Sequence, residues 1–189
     1  MKRFISILSA ILLLSAAVFA DTDGDEYDDG FVYEQNGAGD QFIKVDVGAN
    51  FPLNFGSQLK IGGLVSIGYY RFLNQYFALG GDVLIGYNVS IGNKPLFQVP
   101  VTFGAMYQPY IGKFEFPMML NLGITTITCQ SMTYFPAFTA KFTAGAYYRF
   151  TETWSFGISS TSYWIPQWWD SSYDQAFFTT AGLTVRYHF

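Results

Sequence analysis

Seven charged side chains are set into the apolar stretches that begin at Gln41: Lys44, Asp46, Lys60, Asp82, Glu115, Lys141 and Arg186. Each has apolar or aromatic residues on both sides, and all seven fall on the face opposite the apolar row of their segment. Acids and bases gathered on one hidden face pair with one another, because an uncompensated buried charge is costly. The chemistry predicted is therefore an ion-pair network. Lys44, Asp46, Asp82 and Arg186 fall at similar heights along their segments, with Glu115 lower and Lys60 and Lys141 higher. If the first and last segments are neighbours, Arg186 comes near Asp46.

Other chemistry has little to work with. His188 is the only histidine and Cys129 the only cysteine, so a histidine-based acyl transfer, a His/Cys metal centre and an internal disulfide all lack their parts. No enzymatic activity and no cofactor are expected. The region from Gln41 onward carries eight bases and six acids, a net of +2. It has no phosphate-binding loop and no basic patch, so no nucleic-acid partner is expected.

Ahead of that region, residues 21–40 hold eight of the fourteen acids and no base. The run DTDGDEYDD places Asp21, Asp23 and Asp25 at the alternate spacing of calcium-binding carboxylates. Gly24 is fourth in the run, where an EF-hand loop needs its glycine sixth. The plain reading is a solvated, disordered acidic leader. Residues 1–20 read as a cleaved secretory signal: Lys2 and Arg3, an apolar core from Phe4 to Ala17, then Val18-Phe19-Ala20 before Asp21.

The elements that must position the charges are strands. From Gln41 the apolar residues recur every second position, the period of a strand with two unlike faces. Eight segments are predicted, near 41–51, 58–71, 77–88, 96–108, 114–127, 136–149, 154–163 and 175–189. Each is long enough to cross a bilayer when tilted. Pro100 and Pro117 interrupt two of them and predict bulges or broken pairing.

Half of the residues are hydrophobic, a fifth aromatic and 13% charged, where a soluble domain carries about twice that charge. Excess grease on strands suits a barrel with lipid outside and polar groups inside. The connections 71–76, 109–113 and 149–153 are short and flanked by aromatics, as in Tyr69-Tyr70-Arg71-Phe72 and Tyr147-Tyr148-Arg149-Phe150. The stretch 164–175 is the longest connection and carries Trp164, Trp168, Trp169 and Tyr173, which are expected to form a surface loop.

Residues 41–189 resemble the small eight-stranded outer-membrane barrels: OmpX, the barrel of OmpA, and OmpW. The row Leu183, Val185, Tyr187 and Phe189 resembles the assembly signal of such barrels. The resemblance implies an all-β, eight-stranded antiparallel up-and-down transmembrane β-barrel in the bacterial outer membrane. It also implies outer-membrane lipid and the barrel-assembly machinery as partners. With eight strands the lumen has little more than side-chain room, so the charges read as a plug and the protein as a structural or surface-interaction barrel that meets an extracellular ligand. The alternative is a narrow porin-like or OmpW-like conduit for small or hydrophobic solutes.

Overall fold

The computed structural model describes residues 36–55, 58–130, 132–169 and 172–189, the side chains of 168, 169, 172 and 173 excepted. The proposed signal segment 1–20 and the carboxylates Asp21, Asp23 and Asp25 lie outside the described residues. No helix occurs among the described residues.

Ten strands follow in order: β1 (Gln41–Pro52), β2 (Gly62–Phe72), β3 (Phe77–Val89), β4 (Pro95–Tyr107), β5 (Tyr110–Ile111), β6 (Phe114–Glu115), β7 (Met118–Cys129), β8 (Met132–Arg149), β9 (Trp154–Trp169) and β10 (Ser172–His188). All pairings are antiparallel, and the sheet closes because β1 pairs with β10 and β8 pairs with β9. The short β5 and β6 continue the β4–β7 hairpin past an interruption, so eight walls make one up-and-down barrel. The hairpin turns at Gly112, whose φ of +55° suits a glycine leading a two-residue turn.

Burial follows the predicted alternation. On β2, Leu64, Ser66, Gly68 and Tyr70 point inward while Val65, Ile67 and Tyr69 point outward. The outer wall is a continuous apolar band, including Val47, Ile67, Leu79, Phe103, Leu120, Phe142, Ile158 and Leu183. So large a band has no favourable contact with water and every favourable contact with lipid. An aromatic tier rings the end where Gln41 and Phe189 lie, with Trp154, Tyr187 and Phe189 in consecutive ring contact.

Both prolines act as expected. Beside Pro100 the β3–β4 pairing lapses between Val83↔Val101 and Gly86↔Gln98. At Pro117 the fifth predicted strand splits into β6 and β7, yet Gly145 still donates its N–H to the Pro117 carbonyl. A proline removes one ladder donor and leaves its carbonyl in service.

Four expectations need correction. The second strand starts at Gly62, not near 58: Leu59 bridges Ser90 and turns inward, which leaves Lys60 exposed on the outside of the lumen network. The sixth strand starts at Met132, not near 136. The stretch 164–175 is a hairpin extension rather than a loop, with β9 running to Trp169 and β10 starting at Ser172. Trp164 pairs there with Phe177 and Ala140 and packs on the Phe177 and Phe138 rings on the outer wall. Trp168, Trp169 and Tyr173 are strand residues by backbone. Finally, the two Tyr-Tyr-Arg-Phe repeats are out of phase. Tyr70 and Phe72 point inward with Arg71 outside, whereas Tyr147 and Arg149 point inward with Phe150 outside.

Candidate functional site: the filled lumen

The inward row stacks in four layers between the two mouths. Nearest Gln41 and Phe189 lies an aromatic and thioether layer of Phe42, Tyr70, Phe72, Ala78, Met106 and Met119. Threaded through it is the first ionic cluster. Glu115 receives Arg149 Nη1 at 3.1 Å and Arg186 Nη1 at 3.5 Å. Arg186 also donates to Gln108 Oε1 at 2.8 Å, and its guanidinium carbon lies 4.7 Å from the Phe42 ring centroid. Arg149 donates to Asn36 Oδ1 at 2.8 Å and to the Glu152 carbonyl at 2.7 Å.

Above it sits the second ionic cluster, which carries no net charge. Lys44 donates to Asp46 at 2.9 Å and lies 3.7 Å from Asp82, and Lys141 donates to Asp82. Hydroxyls and amides complete the carboxylates. Asp46 accepts from Ser66, Thr184 and Ser159; Asp82 accepts from Thr102 at 2.7 Å and from Tyr70 at 3.3 Å. Side chains this well supplied tolerate burial that would expel an isolated ion. Gly68 faces this cluster, and a Cβ there would come within 2.9 Å of both Asp82 Cβ and Lys44 Cε. The missing side chain makes room for the charges.

The third layer is uncharged. Asn50, Asn88, Gln98 and Tyr163 bond one another, with Tyr163 donating to Gln98 Oε1 at 2.7 Å and Asn50 donating to Asn88 Oδ1 at 2.8 Å. The fourth is an apolar cluster of Leu59, Ile127, Ala137, Ile165, Ala176 and Phe178 around the Tyr163 ring.

Six of the seven predicted charges therefore face the lumen, and Lys60 does not. Arg186 does not pair with Asp46. On the β1–β10 seam it stands opposite Lys44, so its side chain runs toward the terminal mouth and reaches Glu115. Sequence reasoning missed Arg149, which was assigned to a turn, together with the amide layer and both apolar layers. The available signal was Tyr147-Tyr148-Arg149, where the inward phase of β8 continues to position 149.

His188 is 4% exposed, its Nε2 lies 2.7 Å from Ser155 Oγ, and it packs on Phe42. Ser155 has no exposed surface in this structure. The described residues hold no group of three or more His, Cys, Asp or Glu that could bind a metal ion.

A family model matches residues 23–187. The chain belongs to that family, an uncharacterized Treponema family. Two Treponema pallidum (strain Nichols) proteins, both called uncharacterized, are similar to this family member. One is 29% identical over 143 residues, 66% of this chain and 65% of its own; the other is 26% identical over 160 residues, 76% of this chain and 55% of its own. The chain thus spans between about half and two thirds of the length of the curated relatives it matches.

Among solved structures, Neisserial surface protein A aligns with a TM-score of 0.68 at 11% identity, covering 78% of this chain and 96% of its own. The outer membrane protein OprG from Pseudomonas aeruginosa aligns at 0.56 and 11%, covering 82% and 98%. Ail, the attachment invasion locus protein of Yersinia pestis, aligns at 0.51 and 13%, covering 80% and 99%. These are small eight-stranded outer-membrane barrels, and the family member shares their fold.

Proposed function

We propose that this chain is an integral barrel of the bacterial outer membrane with a plugged lumen, acting as a structural or surface-interaction protein and catalysing no reaction. One observation carries the reading. Asp82 on β3 reaches Lys141 on β8 and approaches Lys44 on β1, so a single carboxylate ties walls from different sides of the lumen. Opening an axial path means separating those ions in a low-dielectric space, which costs several kcal/mol, on the order of 3–5 for removal of one buried partner. The amide layer and the apolar layers close the same axis again.

In this reading the short turns and both termini face the periplasm. The β9–β10 hairpin tip faces outward, where it meets an extracellular ligand. The assembly row Leu183, Val185, Tyr187 and Phe189 lies on β10 and just beyond it, against lipid and within reach of the barrel-assembly machinery. Planar-bilayer recordings of the full chain test the plug. We expect no steady unitary conductance; well-resolved steady conductance makes the solute conduit the better reading.

A further inference from the structure

The mouth opposite Gln41 and Phe189 holds a cup of about 400 Å³. Phe55, Leu96, Ile127, Met132, Ala176 and Phe178 form its apolar lining. Its polar members sit at two levels, Gln98 at the base and Thr133 and Gln167 toward the rim. That volume and that mix are those of a small-ligand site, which runs from roughly 300 to 1,000 Å³.

Two further features shape it. The base is sealed and satisfied: Gln98 accepts from Tyr163 and donates to Asn88, so it asks no hydrogen bond of a ligand. No lining residue is charged. The side is unzipped. The β8–β9 ladder ends at Ala140↔Trp164, and beyond it β8 pairs with β7 and β9 with β10 among the described residues. Pro136 on β8 and Pro166 on β9 lie just past that last rung, and neither has an N–H to extend it. Tyr134 and Gln167, one from each parted strand, both line the cup.

We propose that this cup binds a single alkyl chain of an amphiphile, the tail against Phe178, Ile127 and Leu96 and the polar head at the Thr133–Gln167 rim. The inference rests on the outer-membrane reading above and deepens it, because it places an amphiphile site at the outer mouth while the axis beneath stays shut. The seam between β8 and β9 admits the tail from the side. A charged or strongly polar molecule has nothing in the lining to replace its water.

The sole thiol of the chain, Cys129, lines the cup and reports on it directly. The full chain in phospholipid vesicles is treated with N-ethylmaleimide, with and without dodecanol or a dodecyl lysophosphatidylcholine. Alkylation of Cys129 should slow about tenfold when the probe stands at about ten times its Kd. Protection by dodecanol alone identifies a water-borne chain, and protection by the lysolipid identifies a membrane-borne one. Ala176→Trp, which fills the cup, should abolish the protection while the barrel remains heat-modifiable. If Ala176→Trp fails to insert, Ala176→Leu serves, with protection reduced. An alkylation rate unchanged by either probe, or protection that survives filling the cup, overturns the proposal. Conductance recorded on the same vesicles reports separately on the plug, so failure of one reading is not mistaken for failure of the other.

Discussion

Arg186 stacks over Tyr147, its guanidinium carbon 3.6 Å from the ring centroid, and from there reaches Glu115. Tyr147 and Arg149 both point inward on β8, so one strand supplies the ring beneath one guanidinium and the whole of the other. Glu115 is the shared acid of two bases, which makes it the more sensitive member of the cluster.

Glu115→Gln should therefore cost more than Arg186→Ala. The first leaves two guanidiniums without their carboxylate, on the order of 3–5 kcal/mol. The second leaves Glu115 with Arg149 and should cost less. Urea unfolding in vesicles compares them. Glu115→Gln with Arg186→Met should recover part of the loss, and a double variant no more stable than Glu115→Gln alone would contradict the pairing.

Asp82→Asn should destabilise by a similar amount, about 3–5 kcal/mol, because Lys141 loses its carboxylate and Lys44 keeps only Asp46. Adding Lys141→Met should restore part of the stability, and bilayer recordings of the double variant should stay silent because the amide and apolar layers still close the axis. Lys60→Ala, outside the network, should stay within about 0.5 kcal/mol of the unmodified protein. Equal effects of Asp82→Asn and Lys60→Ala would dissolve the second cluster as a structural unit.

Replacing Phe189 with Asp should impair insertion more than stability. The ring lies on the outer wall beside Tyr69 and Tyr187, while its backbone exchanges hydrogen bonds with Gln41 in any side-chain variant. Phe189→Leu should insert normally. Heat-modifiable mobility on gels reads the outcome, and normal insertion of the Asp variant would remove Phe189 from the assembly signal.

An epitope placed at Ser171 should be labelled on intact cells, since β9 ends at Trp169 and β10 begins at Ser172 at the barrel end opposite Gln41 and Phe189. Labelling only after permeabilisation would invert the proposed topology.

For the acidic leader, calorimetry should show no saturable calcium binding in physiological salt. Sub-millimolar binding that disappears when Asp21, Asp23 and Asp25 become Asn would instead establish a site.

The wall was legible because its signal repeats. A two-residue period sustained over eight segments leaves one arrangement, and Ile67 beside Ser66 or Val45 beside Asp46 announces which side is wet or filled. Partners inside the lumen were not legible. Side-chain length and lean decide whether Arg186 meets Asp46 or Glu115, and neither shows in spacing along the strand. Leu59 and Lys60 were misplaced because the phase slips ahead of Gly62, where one bridge to Ser90 replaces a ladder. Met106, Met119 and Phe178 were hidden for another reason: apolar residues on both faces blur the period at each mouth.

The ladder between β1 and β10 also orders events in time. Every other long pairing joins walls that are consecutive along the chain, but Phe42 and His188 are 146 positions apart (188 − 42). Loop-closure entropy rises only slowly with length, so bringing such distant strands together adds little to the equilibrium cost. Its weight is kinetic. Hairpins can zip from their turns as each pair of strands becomes available, while the β1–β10 seam waits until β10 is in place. Until then the sheet presents two raw edges, the form most prone to pairing with a neighbouring chain. The strand that ends this vulnerability is the one that carries Phe189 at its end.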